Sequence, residues 1–355
     1  MAQTQTTRVS VIVPCRNEIR RIRGFLESVF QQDLGPIEME VLVADGMSDD
    51  GTRQVLAEFA GRFPALRAID NPEQIVSTGM NRAILEANGE FILRMDAHSF
   101  YAPNYVRSCI AVLNETKADN VGGPLMTRAD GYLAKAIAFA YGTPFARGGV
   151  KYRDPQYEGP VDTVTYGCWR KSTLERVGLF DEKQVRSQDY ELNVRIASRG
   201  GIVWRSPRII SWYWPRASVS GLFWQFFQYG FWKVAVIRKH RGLASWRNFV
   251  PGFSLLAGTV LLLCAEAARL SGWVWWEQAL FDVWIALAGL YFILSFATAF
   301  SVARREGWRF LPCLPLIFAV YHLAYALGFS LACLFPPAAW NRANPMRKVV
   351  TALTR

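Results

Sequence analysis

A doubly wound, mostly parallel α/β domain followed by membrane-associated helices is the fold this sequence predicts, and three observations predict it. In the first 100 residues short β-branched runs alternate with amphipathic stretches, the pattern of strand–helix–strand units. Asn17, Asp45 and Asp96 fall at the ends of such runs, where ligands of these sheets bind. After residue 211 the chain turns aromatic and then lipid-like, in stretches near the ~20 residues that cross a bilayer.

Val9–Pro14 reads as a buried strand, and Glu18–Gln32 as a helix with Ile22, Phe25, Leu26, Val29 and Phe30 on one face. Glu40–Ala44 is the second strand, after which Ser48–Gly51 supplies turn and capping residues for a helix carrying Val55, Leu56 and Phe59. Leu66–Asp70 is the third. Ser77 can cap a helix with Met80, Ala83, Ile84 and Ala87 inward, and Gly89 can end it. Phe91–Met95 is the fourth strand. From Cys109 to Arg208 the pattern is mixed, with loops at Gly122–Pro124, Gly142–Pro144 and Arg147–Pro160 and helices expected over Pro103–Leu113 and Ser187–Ser198.

The aromatic segment interleaves Trp212, Trp214, Phe223, Trp224, Phe226, Phe227, Tyr229, Phe231 and Trp232 with Arg216, Lys233, Arg238, Lys239 and Arg241. Aromatics among cations predict one or two amphipathic helices in a membrane interface. An ordinary amphipathic helix packed on a globular domain has the same periodicity. Val250–Leu270, Phe281–Ala303 and Pro312–Phe335 follow as candidate spans. The arginine-rich connector Arg304–Arg309 and the basic tail Asn341–Arg355 both favour the cytoplasm. Three full spans cannot satisfy both together with a cytoplasmic N-terminal half. Either the tail crosses despite its charge, or one segment is re-entrant or interfacial. The expected division is a catalytic domain over 1–210, interface helices over 211–248, about three transmembrane helices over 249–335 and a basic tail over 336–355.

Composition bounds the partners. The 355 residues carry 40 Lys+Arg against 29 Asp+Glu, a formal charge of +11. Those cations sit among lipid-like aromatics, so the surplus points to a membrane and not to nucleic acid. Cys15, Cys109, Cys168, Cys264, Cys313 and Cys333 are scattered without a close pair, which excludes a disulfide framework or a Cys-based zinc site and fits a reducing compartment. Met1–Arg8 is polar with no apolar core, so the N-terminal half is expected to stay in the cytoplasm.

The motifs add chemistry. Val11-Ile-Val-Pro-Cys-Arg-Asn-Glu18, followed by Val41-Leu-Val-Ala-Asp-Gly-Met-Ser-Asp-Asp-Gly-Thr52, resembles the opening of family-2 glycosyltransferases. Taken alone, Asp45–Asp50 reads as a capped turn. Arg94-Met-Asp-Ala-His98 occupies the place of that family's Asp-x-Asp metal motif, with His98 for the second Asp, and Gly46 and Met47 replace the usual Asp-Gly pair. The Asp-Ala-His form and Met80-Asn-Arg-Ala83 are similar to succinoglycan and related exopolysaccharide glycosyltransferases. Thr165-Tyr-Gly-Cys-Trp-Arg170, Val177-Gly-Leu-Phe-Asp-Glu182 and Gln188-Asp-Tyr-Glu-Leu192 match the family's second half.

The resemblance covers about Arg8–Lys239 and implies a GT-A domain, of Rossmann-like sheet, that is a metal-dependent, inverting hexosyltransferase. By it, Pro14, Arg16, Glu18, Asp45, Asp96 and Ala97 bind the donor nucleotide, and Asp96 and His98 hold Mn2+ or Mg2+. Asp189 is the general base. Tyr166, Gly167, Cys168, Glu191, Arg195, Gln228 and Lys233 serve the acceptor or support the base. As a bare pattern, Asp189 could instead cap the helix that follows it. The implied partners are a UDP-sugar, a polyprenyl-linked acceptor and membrane lipids, at a bacterial inner membrane crossed more than once, with the catalytic domain in the cytoplasm. Gln228-Tyr-Gly-Phe-Trp232 lacks the Arg of the processive synthases' Gln-x-x-Arg-Trp element, which speaks for single-sugar transfer. Polyprenyl-phosphate sugar synthesis, or non-catalytic binding of sugar nucleotide or anionic lipid, are the alternatives.

Overall fold

A computed structural model describes residues 6–148, 154–215, 217–240 and 246–335. Arg216, Arg241, the tail Asn341–Arg355 and residues 149–153 of the loop Arg147–Pro160 lie outside them. The chain divides into two compact units, Met1–Arg128 with Lys151–Trp214, and Ala129–Val150 with Pro215–Arg355.

The first unit opens with β1 (Thr7–Cys15), α1 (Ile22–Phe30), β2 (Ile37–Asp45), α2 (Thr52–Arg62), β3 (Leu66–Asp70), α3 (Val76–Glu86) and β4 (Phe91–Arg94). These strands pair in parallel in the order β3-β2-β1-β4, as the strand–helix alternation predicts. Next come β5 (Ser99–Tyr101), α4 (Tyr105–Thr116), β6 (Asn120–Gly122) and β7 (Leu125–Thr127). The second unit then takes α5 (Tyr132–Tyr141) and α6 (Pro144–Arg147). The chain returns with β8 (Gly159–Pro160), β9 (Cys168–Arg170), α7 (Lys171–Val177), α8 (Gln188–Ser198), β10 (Val203–Arg205) and β11 (Ser211–Tyr213). The main sheet has the order β3-β2-β1-β4-β9-β6-β10-β8, and β9 runs antiparallel to both neighbours. A small sheet, β5-β11-β7, completes the unit. Apolar residues pack both faces of the main sheet: Val11, Val13, Val41 and Val43 against Phe25, Leu26 and Phe59 on one, Ile12, Leu42 and Ile92 against Met80, Ile84 and Leu192 on the other.

Two local expectations change, and that of a cap for α2 from Ser48–Gly51 is met by a particular residue. Ser77 is not a helix cap: α3 starts from an extended Ile75, and the Ser77 hydroxyl donates to Gln184 O at 2.9 Å. Gly89 does not end α3, which stops at Ala87. It is glycine because a Cβ there would stand 2.6 Å from the Ser10 backbone nitrogen. At α2 the cap position belongs to Gly51 at φ 100, and the Asp50 side chain accepts from the Thr52 N–H.

The second unit also holds α9 (Val219–Lys239), a 3-10 turn at Trp246–Asn248, α10 (Val250–Leu270), α11 (Val274–Glu306), a second such turn at Trp308–Phe310, and α12 (Leu314–Leu334). The last three α-helices are long and apolar enough to cross a membrane. α9 and α12 run side by side in the same direction. Phe226 meets Tyr321 edge-on, a Cβ on Gly230 would stand 2.1 Å from Tyr325 O, and Arg238 donates to Cys333 O. A Cβ on Gly328 would likewise be 1.9 Å from Phe227 O, so the two backbones touch where side chains are missing. On α12 the Tyr321 hydroxyl donates to Ile137 O, and the His322 Nε2–H donates to Phe145 O at 2.9 Å, which ties α5 and α6 to it.

Gly328→Ala therefore forces a methyl into a backbone contact. It should destabilise the protein by about 1–3 kcal/mol, the range for overpacking. Gly289→Ala, where nothing lies within 4 Å, should be neutral or slightly stabilising. Thermal unfolding in detergent checks both, and equal melting temperatures for the two variants would refute the close contact.

Candidate active site

β4 is apolar through Phe91, Ile92 and Leu93 and then buries a cation. The Arg94 side chain is 7% exposed, with Asp96 and Asp189 at 11% and 22%. Its Nε and Nη2 donate to the two Asp96 oxygens at 2.9 and 3.1 Å, and its Nη1 donates to Asp189 Oδ1 at 2.5 Å. A buried guanidinium is tolerable only when paired in this way. Burial works against its charge, but Asp189 and Asp96 outweigh burial and hold its pKa above the ordinary value. For Asp189 burial dominates. Arg94 offsets part of it, the like charge of Asp96 adds to it, and the carboxyl ends above its usual 3.8.

Two further groups frame Asp96. Its N–H donates to the Tyr101 hydroxyl at 2.7 Å, and the Tyr166 hydroxyl shares a 2.7 Å hydrogen bond with Ser99. Burial pushes both phenols well above their ordinary pKa, so both stay neutral. The Arg94 guanidinium also lies over the Tyr166 ring, 5.9 Å from its centre.

Asp189 lies in the first turn of α8, where the helix dipole favours a carboxylate, but it caps nothing. The cap position belongs to Ser187 in a left-handed conformation, φ 60. Polar bonds fix the approach to that turn. Asn81 on α3 donates to Phe180 O and accepts from Phe180 N, and Ser77 holds Gln184 O. Glu191, fully buried, pairs with Arg195 at 2.8 Å, and Arg195 donates to Val177 O and Gly178 O. These two residues thus brace α8 against the end of α7. Asn193 bonds Asn120 and Thr163 in the same way.

The loops after β1 and β2 zip together at the same sheet edge, where Cys15, Asp45 and Asp70 pair in register. Asn17 exchanges two bonds with Asp49, the Asn17 N–H donates to the Ser48 hydroxyl, the Glu18 N–H to Thr52, and the Ile19 N–H to Asp50. Asp45, 2% exposed, accepts from the Ser48 N–H and hydroxyl, with Arg53 3.5 Å away, so its carboxylate closes its own turn. Pro14 ends β1 beside Ala44. Arg16 lies across Gly46, where a Cβ would stand 3.2 Å from its side chain. Beyond β4, Ala97 is buried, and His98 is 46% exposed with Nδ1 3.8 Å from Glu18 Oε1.

Among the described residues there is no group of three or more His, Cys, Asp or Glu that could hold a metal. Asp96 and His98 supply two donors. The Asp96 carboxylate has about four lone-pair sites, of which Arg94 uses two. A carboxylate with an imidazole suits a divalent ion that takes the rest of its shell from phosphate and water.

The other sequence-derived residues fall differently. Tyr166 adopts φ 59 beside Arg94, and Gly167, whose O accepts from Arg94 N, has no room for a Cβ against Asn120 and Trp169. Cys168 is fully buried in the apolar core, so it supports the strand and is not a ligand contact. Gln228 and Lys233 belong to α9 in the second unit, Gln228 on its buried face. Arg94 was missed as a site residue, although one cation inside the apolar run Phe91–Met95 is the signal for it.

Comparison with known proteins agrees with this picture. A model of glycosyl transferase family 2 matches residues 10–171. The succinoglycan biosynthesis protein ExoA of Rhizobium meliloti is 30% identical over 321 residues, 90% of this chain and 93% of that one. The dolichyl N-acetyl-α-D-glucosaminyl phosphate 3-β-D-2,3-diacetamido-2,3-dideoxy-β-D-glucuronosyltransferase of Methanococcus voltae is 29% identical over 65% of this chain and 74% of its own. The mannosyltransferase PcManGT of Pyrobaculum calidifontis, solved with GDP-Man and Mn2+, shares the fold at a TM-score of 0.58 and 20% identity, covering 92% of this chain and 88% of that one.

Arg94→Met leaves two carboxylates without their cation and should cost about 3–5 kcal/mol of stability. Asp189→Asn keeps the Asp96 pair and should cost less. Denaturant unfolding of the two variants compares them, and a neutral Arg94→Met would mean that the bridge does not hold this edge together.

Proposed function

The chain belongs to glycosyl transferase family 2, and from that premise we propose that it moves one sugar from a UDP-sugar, glucose by analogy, to a polyprenyl-diphosphate-linked oligosaccharide. The pathway we assign is exopolysaccharide biosynthesis in a bacterial inner membrane. The name of the Rhizobium relative, with succinoglycan as its product pathway, supports the polymer, and the dolichyl-linked substrate in the name of the archaeal relative supports a lipid-borne acceptor.

The observation that carries the reading is the Asp96–Arg94–Asp189 bridge at the carboxyl edge of the sheet. Arg94 occupies Asp189 Oδ1, which leaves Oδ2 to accept the proton of the acceptor hydroxyl. As that proton leaves, the hydroxyl oxygen bonds the anomeric carbon, and the sugar–phosphate bond breaks with its electron pair going to the nucleotide diphosphate. The displacement inverts the anomeric centre. Pro14, Arg16, Glu18, Asp45, Asp96 and Ala97 line the nucleotide in this reading, with Asp45 acting from its closed turn. Asp96 and His98 would hold Mn2+ or Mg2+, which when bound neutralises the departing diphosphate. The Mn2+ in the mannosyltransferase complex supports that choice of ion.

Calorimetry with UDP-, GDP- and dTDP-sugars, with and without manganese, tests the donor side. One nucleotide class should bind in a metal-dependent way, with binding lost in Asp96→Ala and its metal dependence weakened in His98→Ala. Binding of none of them would sink the reading. On the acceptor side, Asp189→Asn should lower transfer by at least the 10²-fold of a general base while leaving donor binding intact. Full activity in that variant would remove Asp189 from the role.

The base works only when ionised, so activity should fall as pH drops through the raised pKa of Asp189. The acid limb of kcat/KM should therefore lie above 3.8. In Arg94→Gln, which removes the stabilising cation, it should move higher still. A limb that stays in place in Arg94→Gln would separate Arg94 from the base.

A further inference from the structure

The three apolar helices of the second unit are unlike one another. In the most apolar windows of α10 and α11 only 11% of residues are buried, against 44% in α12. Along α11 the buried residues, Ser295, Ala299, Val302 and Ala303, all lie from Ser295 onward. The preceding stretch, Val274–Leu294, has none, and at 1.5 Å per residue it is about 32 Å long. α10 has the same length, and its few buried residues are small: Gly252, Ala265 and Ala268. Two antiparallel helices, each long enough for the ~30 Å hydrocarbon core and charged within these stretches only toward the turn that joins them, have the form of a transmembrane hairpin.

α12 is built differently. It buries Leu314, Ile317, Tyr321, Ala324, Gly328 and Ala332 against its protein neighbours and leaves Leu316, Leu323, Leu327 and Leu334 exposed. Those leucines recur at intervals of seven, four and seven, one stripe along one face. The opposite side is filled by α9 along its length, and by hydrogen bonds from Tyr321 and His322 to carbonyls at Ile137 and Phe145. A helix with one packed side and one leucine stripe suits the plane of an interface more than a crossing.

The charges sort in the same way. Near the turn that joins α10 to α11, the last turns of α10 carry Glu266 paired with Arg269 and the opening turns of α11 carry Glu277 and Asp282, with Trp273, Trp275 and Trp276 exposed around them. Flanking the other end are Arg238 and Lys239 at the end of α9, Arg247 before α10, Arg304 and Arg305 in the last turn of α11, and Arg309 just after it. Cations on one side and a tryptophan girdle on the other are what the positive-inside rule and the aromatic belt require of a two-span anchor. A third crossing by α12 would carry the basic tail Asn341–Arg355 to the tryptophan side.

We propose that α10 and the first two thirds of α11 cross the bilayer as a hairpin, while α12 lies in the interface beside α9 with its leucine stripe against the acyl chains. The chain then crosses twice, and α9, the Arg304–Arg309 connector and the tail share one side. This topology does not depend on which residues transfer the sugar.

Two measurements on the full chain in bacterial cells test it. Green fluorescent protein fused after Arg355 should fluoresce and alkaline phosphatase fused there should be inactive, since both report a cytoplasmic tail. An epitope inserted at Gly272 should bind antibody on intact spheroplasts without permeabilisation. An active phosphatase fusion would mean that α12 crosses and would overturn the two-span topology. An epitope reached only after permeabilisation would mean that the hairpin does not cross, and would overturn it equally.

Discussion

A single buried cation sets the terms for the catalytic unit. Arg94 sits on a strand whose neighbours are fully apolar, and its guanidinium cannot shed its proton to suit that setting. It needs two carboxylates, and it takes them from places far apart in sequence: Asp96 two residues on, and Asp189 at the start of α8. The pairing decides where the β4 end points and where α8 must begin. The left-handed Ser187 and Tyr166, the glycine at 167 and the asparagine bonds from α3 are the local accommodations that let those elements meet. Removing the cation would leave the carboxylates too close to be charged together.

The polar residues of the unit work mostly as fasteners. The bonds of Asn17 to Ser48 and Asp49, of the Glu18 N–H to Thr52 and of the Ile19 N–H to Asp50 join two loops that the chain separates by some thirty residues. Motifs recur together in order here because each is half of a hydrogen-bonded pair. A carboxylate consumed by its own turn, as at Asp45, still shapes the sheet edge by holding the backbone beside it.

Much of this was legible in the sequence. The first four strands were readable because buried parallel strands are continuous apolar runs, and Leu66–Asp70 falls where the pattern puts it. The helix over Gln188–Ser198 and the two carboxylates at 96 and 189 were also visible. What periodicity could not show was pairing at a distance. Ser77 looked like a cap because its partner, Gln184 O, lies over a hundred residues away, and Gly89 looked like a helix end because Ser10 is invisible from position 89. Glu191 and Arg195 were read as supports of the base, and the pair ties α8, which carries Asp189, to the end of α7. Arg94 was overlooked because a lone cation in a strand reads as a flaw until its partners are known. Likewise, α5 and α6 cluster with the C-terminal helices, an association that order along the chain does not encode.

The contact between α9 and α12 has a mechanical side. Where Gly230 and Gly328 remove the spacers, main chain rests on main chain, and no side chain is left to yield between them. Such a pair behaves as one stiff beam rather than two rods with padding. A displacement along α9 at these two points therefore meets the main chain of α12 directly, with no side-chain rotation to absorb it.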